Sequence, residues 1–291
     1  MRKLGIVIVN YNGAKFQNAC VDSILQSYYD DFYLIVVDNG STDESMKMLD
    51  KYDDDRIITI YNNANLGVAA GNNIGIKKSI EIGCQYTLLL NNDTEILKNT
   101  LSVIIEKLQC HKVVSPKILY WDTKKIWYFG GEISFALGRN KDWNLDAPNT
   151  GLDHDIECDY APTCCMAIDN DVFNKIGFMD EDYFLYYDDT DFCMRLRNAG
   201  IKILVTPDTL LYHKVSSSTG KKQSFVRVYY LNRNRLYFCK KYRREFLIGT
   251  YAMALLVRYR KIFFGTPMEK KYCRQAVTDF RNGKMGAAEF K

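Results

Sequence analysis

Three short apolar runs in the first hundred residues each break off at a cluster of Asn and Asp, and this pattern constrains the fold more than any bulk property. Residues 4–9 run into Asn10-Tyr11-Asn12, residues 33–37 into Asp38-Asn39-Gly40, and residues 86–90 into Asn91-Asn92-Asp93. Residues 56–61 are also strand-like. Between these runs the apolar residues recur at helical spacing: Phe16, Ala19, Cys20, Ile24 and Leu25, then residues 67–82, then 97–108. Ser41 and Glu44 have the spacing of a capping box that opens a further helix. Continuous apolar strands between amphipathic helices predict an α/β doubly wound sheet, mostly parallel, with helices on both faces. In such sheets ligands bind beyond the carboxyl ends of the strands. One Asn/Asp cluster is an ordinary turn signal; three on one edge favour a site.

The remaining chain is less regular. Residues 120–160 are aromatic and Gly-rich without a clean period, which fits either an acceptor-binding insertion or a structural flap. Residues 171–176 and 188–198 read as helices, with Gly200 as the stop of the second. Residues 201–205 and 209–212 read as strands, and the chain from Ser224 onward as mostly helical. This gives a sheet domain over residues 1–222 and a basic helical extension over 223–291. Nine Cys without a CxxC pair indicate reduced, buried thiols, with neither a disulfide frame nor a zinc site. Cys164 and Cys165 fall at a core strand. The apolar start is too short for a signal peptide, so a cytoplasmic location is expected.

Several chemistries are disfavoured. A dinucleotide-binding turn needs G-x-G-x-x-G after the first strand, and NYNGAKF has one Gly; no P-loop motif occurs. In GVAAGNNIG, glycines 67, 71 and 75 share one helix face, for close packing or for ligand contact. A nucleic-acid role is not expected, because the basic charge is confined to the tail and no recognition motif accompanies it.

The segments IVIVNYN, VVDNGSTDES, NANLGVAAGNNIG, LLLNNDTEI, YFLYYDDTDFCMRLRNAG and LYHKVSSS follow one another in this order. Together they resemble family 2 glycosyltransferases of the GT-A (Rossmann-like) fold, particularly the rhamnosyltransferase-like group that builds bacterial surface polysaccharides. The resemblance covers about residues 4–242. It implies a nucleoside-diphosphate-sugar donor, dTDP- or UDP-linked, a divalent cation, Mn²⁺ or Mg²⁺, and inversion at the anomeric carbon. A sugar-nucleotide pyrophosphorylase and a non-catalytic nucleotide-sugar-binding subunit are the alternatives.

Chemistry and resemblance agree on the site. Breaking a sugar–diphosphate bond leaves charge on the phosphate, which a cation stabilises, and Mg²⁺ and Mn²⁺ favour carboxylate and phosphate oxygens. Asp93 stands where the family carries its DxD-type metal motif, although Asn91 replaces the first acid. His213 matches a metal- or diphosphate-binding position. Asn92 is placed on the donor ribose or phosphate, Asp38 on the nucleotide's base or ribose, Asn10 and Tyr11 in the loop under the base, and Asn65 and Asn72 among the donor-binding positions. Asp189, second acid of the D-D pair at 188–189, matches the general base. Asp191 and Arg195, four apart, form a structural pair. Asp43 belongs to a helix start.

The tail carries 13 Lys/Arg against 4 Asp/Glu from residue 240 onward, in a chain of net charge +4. Arg233, Asn234 and Arg235 are expected to face the donor phosphates or an anionic acceptor. FLIGTYAMALLV, 12 residues long, is too short to span a bilayer as a helix, which takes about 20. It is flanked by Lys240, Lys241, Arg243 and Arg244 on one side and Arg258, Arg260 and Lys261 on the other. Such a segment suits an interfacial helix on an anionic membrane surface, beside a glycan or lipid-linked glycan acceptor, or a helix packed on the core.

Overall fold

A computed structural model describes residues 3–214 and 224–290. In chain order its elements are β1 (Leu4–Asn10), α1 (Gln17–Leu25), β2 (Phe32–Asp38), β3 (Ile57–Tyr61), α2 (Val68–Glu81), β4 (Tyr86–Asn91), β5 (Thr94–Ile96), α3 (Thr100–Lys107), β6 (Val113–Tyr120), β7 (Ile126–Tyr128), β8 (Gly131–Ser134), β9 (Arg139–Asp142), β10 (Ile156–Cys158), β11 (Cys165–Asp169), α4 (Asp171–Ile176), α5 (Asp188–Asn198), β12 (Ile203–His213), α6 (Phe225–Lys241), α7 (Thr250–Phe264) and α8 (Pro267–Arg281). The expected domain boundary at 222–223, and the Val215–Ser218 end of the last motif, lie outside the described residues.

The main sheet runs β10-β12-β6-β11-β4-β1-β2-β3. Strands β4, β1, β2 and β3 are parallel, as are β6 and β12, while β11 runs antiparallel between β4 and β6. The β1–β2 register sets Asn10 opposite Asp38, and the β1–β4 register sets Val9 opposite Asn91. The three polar strand ends therefore share one edge.

Burial explains the strands. Ile6, Val7, Ile8, Leu34, Ile35, Val36, Val37, Leu88 and Leu89 are fully buried. Each such aliphatic side chain contributes roughly 1.5–3 kcal/mol relative to exposure. Helix α2 approaches β1 through its glycines: a Cβ at Gly71 would lie 2.7 Å from Val9 Cγ1, and one at Gly75 2.2 Å from Val7 Cγ1. Close packing is thus what these two positions require. The capping box expected at Ser41 and Glu44 does not form. The Ser41 hydroxyl instead accepts from the Asn12 N–H and the Asn10 amide, and only a 3₁₀ turn, Lys47–Lys51, follows.

The two strands read at 201–212 are one strand, β12, with an irregularity between Thr206 and Leu210. Residues 120–160 supply short strands, of which β7 and β10 join the main sheet and β8 and β9 form a separate hairpin. All nine cysteines are unpaired, and eight are buried.

The apolar core continues without a break from the sheet into the C-terminal helices through Leu236, Phe238, Phe246, Ala254, Ile262, Val277 and Phe280. Charge fastens the same junction. Asp191, fully buried on α5, accepts Arg195 Nε at 3.0 Å, Lys241 Nζ at 2.6 Å and the Tyr242 hydroxyl at 2.9 Å. The Asp191–Arg195 pair is the one expected; its tie to α6 is additional. Removing one partner of a buried pair strands the others. Asp191→Ala is therefore expected to cost about 3 kcal/mol of stability, read as a lower urea midpoint, and an unchanged midpoint would show that Lys241 and Arg195 find other partners.

Candidate functional site

The polar strand ends are built into a rim. Asn10, fully buried, donates from Nδ2 to Ser45 Oγ at 2.8 Å, Ser41 Oγ at 3.0 Å and Asp38 Oδ1 at 3.3 Å, and its Oδ1 accepts Asn92 Nδ2 at 2.9 Å. Asp38 also accepts the Ser41 N–H at 3.1 Å. One amide thus ties the ends of β1, β2 and β4 together. Gly13 passes so close to this knot that a Cβ there would lie 2.2 Å from Asn92 Nδ2 and 2.3 Å from Asn10 Oδ1. Burial raises the Asp43 carboxyl, but the Ser45 hydroxyl and the Ala14 and Ser45 N–H groups donate to it and together hold it below the ordinary range. Tyr11 is exposed at the rim.

On the neighbouring edge, Asn65 Oδ1 accepts the Gly67 N–H at 2.9 Å and so shapes the entry to α2. Gly67 has φ +88°, and a Cβ there would meet the Phe184 carbonyl oxygen at 2.5 Å. Asn72 is buried on the first turns of α2.

Beyond Asn91 the chain turns once and enters β5, which pairs antiparallel with the end of β12, Thr94 opposite His213. That pairing brings together side chains 120 positions apart: His213 Nε2 lies 3.1 Å from Asp93 Oδ1, both residues being buried. The Trp127 ring meets the imidazole edge-on at 4.5 Å. Among the described residues, His213 Nδ1 has no hydrogen-bond partner. Carboxylate oxygen suits Mg²⁺ and Mn²⁺, and imidazole suits first-row transition metals. No cluster of three or more metal-ligating side chains occurs among the described residues; Asp93 and His213 are a carboxylate–imidazole pair that could hold a cation.

Asp188 and Asp189 open α5. Asp189, half-buried, accepts the Tyr160 hydroxyl on Oδ2 at 2.7 Å, and the Thr190 N–H and hydroxyl on Oδ1 at 2.6 and 3.1 Å. Burial raises its pKa, and the Tyr160 and Thr190 donors partly oppose that rise. Asp188 is raised further, by burial and then by the charge of Asp189. Unlike Asp191, neither has a salt bridge to a described Lys or Arg. Cys164 relates the two acidic centres. Its carbonyl accepts the Asn91 N–H at 3.0 Å, and burial, then the charges of Cys165, Asp93 and Asp189, keep its thiol protonated.

The approach to Asp188 is strained. Tyr186 and Tyr187 have φ of +65° and +72°, a left-handed conformation that is costly for aromatic residues. Helix α6 pays that cost. Asn234 Nδ2 donates to the Leu185 and Tyr186 carbonyls, both at 2.9 Å, Tyr237 OH donates to Asp182 at 2.7 Å, and Lys241 bridges Asp180 at 2.6 Å. The expectation that residues 233–235 face phosphate is corrected here. Arg233 is 1% exposed, flanked by the Tyr229 and Tyr230 rings and donating to the Gly286 carbonyl, and Arg235 donates to the Leu137 carbonyl. Asn234 is engaged in bracing the loop, while Arg233 and Arg235 fasten the segments at Gly286 and Leu137. Arg258, read as a flanking cation, is likewise buried on α7.

Sequence reading missed Tyr160, Thr190, Gly13 and the bracing role of Asn234. A tyrosine within CDYAPTCC carries no local mark of its partner, and Asn234 acts on backbone that only tertiary structure brings to it.

A model of glycosyl transferase family 2 matches residues 5–177. A low-salt glycan biosynthesis hexosyltransferase of Haloferax volcanii is 28% identical over 239 residues, covering 80% of this chain and 74% of its own length. A dTDP-rhamnosyl transferase of Shigella flexneri is 25% identical over 296 residues, covering 96% and 95%. Among solved structures, GalNAc-T7 with UDP, GalNAc and Mn²⁺ superposes with a TM-score of 0.69 at 15% identity, over 97% of this chain and 56% of that one. S. aureus TarS 1–349 in complex with UDP-GlcNAc gives 0.60 at 15% identity, over 96% and 80%. These last two likenesses concern the fold.

Asn234→Ala removes both carbonyl contacts while leaving Asp189 itself untouched. Turnover is expected to fall by about 10–100-fold, the size of a small misplacement of catalytic groups, with the far-ultraviolet circular dichroism unchanged; full turnover would show that the loop holds its shape without α6.

Proposed function

The chain belongs to glycosyl transferase family 2, and on that premise we propose that it transfers a hexosyl unit, rhamnose or another hexose, from a dTDP- or UDP-linked donor to a hydroxyl of a growing glycan, with inversion at the anomeric carbon. What supports this reading is the buried Asp93–His213 contact at 3.1 Å just beyond β4, together with Asp189 held by Tyr160 and Thr190 at the start of α5. The nucleotide lies along the rim formed by Asn10, Tyr11, Asp38 and Asn92, with Asn65 and Asn72 at the sugar side. Asn10 acts from beneath, by holding Asp38 and Asn92 in place. Asp93 and His213 hold a divalent cation, which when bound supplies positive charge to the leaving diphosphate.

On the opposite side, Asp189 accepts the proton of the acceptor hydroxyl as that oxygen bonds to the anomeric carbon. The bond from the anomeric carbon to the phosphate oxygen breaks, and its electron pair leaves with the nucleoside diphosphate. Tyr160 and Thr190 fix the carboxylate in position, and its raised proton affinity makes it a better base than a solvated Asp.

Asp189→Asn separates an enzyme from a binding subunit. Transfer is expected to fall by at least about 10²–10⁴-fold, the range of general base contributions. The thermal shift given by the donor with Mn²⁺, in a screen of UDP- and dTDP-sugars, is expected to persist. Unchanged transfer would remove Asp189 as the base.

The acceptor is read as lipid-linked, and the support lies on α7. Met253, Leu256, Val257 and Phe264 stand exposed along one face of that helix at spacings of three, four and seven residues, with exposed Leu247 and Ile248 just before it. Contiguous exposed apolar surface of this kind marks an interaction site. Exposed Arg243 and Arg244 precede this helix and exposed Arg260 lies on the same face between Val257 and Phe264, which favours the anionic face of a bilayer. No helix among the described residues is long and apolar enough to cross one. The protein is expected to pellet with phosphatidylglycerol vesicles at low salt, more weakly with phosphatidylcholine, and not after Leu256→Glu with Phe264→Glu. Full recovery of the unaltered protein in the supernatant would refute membrane docking.

A further inference from the structure

The C-terminal helices form a cleft of about 1210 Å³ between α6, α8 and residues 283–289. Tyr229, Pro267 and Met285 supply apolar surface, and much of the remaining lining is basic. Lys270 and Arg274 stand four residues apart on α8, and so on one face of that helix, about 6 Å apart along its axis. Lys284 lines the same cleft from the segment after α8. All three are exposed, and none makes a salt bridge among the described residues. Other cations of the C-terminal helices are matched: Lys241 by Asp180 and Asp191, and Lys261 by Glu269.

The charge of the cleft is not neutralised from within. Two acids line it, Asp279 and Glu289, and Asp279 already accepts the Tyr229 hydroxyl at 2.8 Å. Arg233 adds a further cation at the floor. It is 1% exposed and has no carboxylate partner among the described residues, and its Nη2 has no hydrogen-bond partner there. The Tyr229 and Tyr230 rings flank it at 5.2 and 5.0 Å, and its other nitrogens donate to Asn234, Tyr229 and the Gly286 carbonyl. Arg233 is therefore held below the surface of the cleft. It acts there through its charge, which buried surroundings screen less than water does.

This arrangement works against the stability of the empty protein. Like charges four apart on a helix repel. Lys270 is also the fourth residue of α8, near the end where the helix dipole disfavours a cation. An anion in the cleft turns both costs into attraction.

We propose that this cleft is a second anion-binding site, separate from the polar rim, and that it takes a diphosphate. Two cations one helical turn apart suit two linked phosphoryl groups. The Tyr229, Pro267 and Met285 surfaces beside them suit an apolar group attached to the diphosphate. A free diphosphate and a lipid with a diphosphate headgroup share this chemistry. No residue of the rim lines the cleft, and the inference does not depend on the reading of Asp93, His213 or Asp189. One wall does reach the other half of the protein: the Gly286 N–H donates to the Asp182 carbonyl at 3.0 Å, in the segment that leads to the aspartate pair.

The test is calorimetric titration of the full chain with inorganic pyrophosphate in metal-free buffer, so that no cation bridges the probe to Asp93 and His213. Saturable binding is expected. It should weaken at least about tenfold in Lys270→Gln with Arg274→Gln, through the loss of two charge-assisted contacts, and stay unchanged in Asp93→Asn. Lys284→Gln, read in the same way, serves should the double variant fail to fold. Geranyl diphosphate separates the two sources. Tighter binding than pyrophosphate, weakened by the same substitutions, supports a lipid headgroup; equal or weaker binding supports the free anion. The absence of saturable binding by either probe overturns the inference, and so does binding that the folded cleft variants leave unchanged. Binding lost in Asp93→Asn and kept in the cleft variants puts the diphosphate at the Asp93–His213 pair, which overturns the second site and leaves the proposed transfer reaction standing.

Discussion

The parallel pairing of β4, β1 and β2 is the constraint on which the rest of the molecule depends. Parallel neighbours finish on the same side, and the register here brings Asn10 level with Asp38 and one residue from the level of Asn91. A slip of one residue would turn every apolar side chain of β1 to the other face, so the buried Val and Ile residues that enforce the register also align the polar ends. The polar rim is a by-product of core packing. Its groups are then secured by one buried amide, that of Asn10.

The opposite half of the site is assembled on another principle. Asp189 stands on a short approach of unfavourable backbone, and its loop is strapped by a helix beginning some forty residues later. Rigid sheet edge on one side and braced strained loop on the other suit different demands. The first presents fixed polar groups along one edge. The second holds a half-buried acid that has no salt bridge to a described Lys or Arg, with its proton affinity raised. The cations that were available nearby, Arg195 and Lys241, are spent on Asp191.

Much of this was legible in the residues. The strand ends, the helix at 188–198 with its Gly200 stop, and the pairing of Asp191 with Arg195 all follow from local patterns of period, charge and turn chemistry. The single rim could be read because three separate strands carried the same signature. What escaped was whatever depends on contacts between distant segments. Ser41 looks like a helix cap until the loop after β1 claims its hydroxyl. Arg233 looks like a phosphate ligand until two tyrosines and a carbonyl enclose it. The irregularity between Thr206 and Leu210 made one strand resemble two. The nearness of Asp93 and His213 is a product of β5 pairing with β12, and three residues of strand are too few to announce their partner.

The family match ends at residue 177, before the aspartate pair and well before the helix that braces it. The stretch beyond it supplies β12, with His213, to the main sheet as well as the aspartate pair and its brace. Rim and facing loop are thus bound into one folding unit: a fragment cut at residue 177 would leave β6 and β10 without the strand between them and Asp93 without His213.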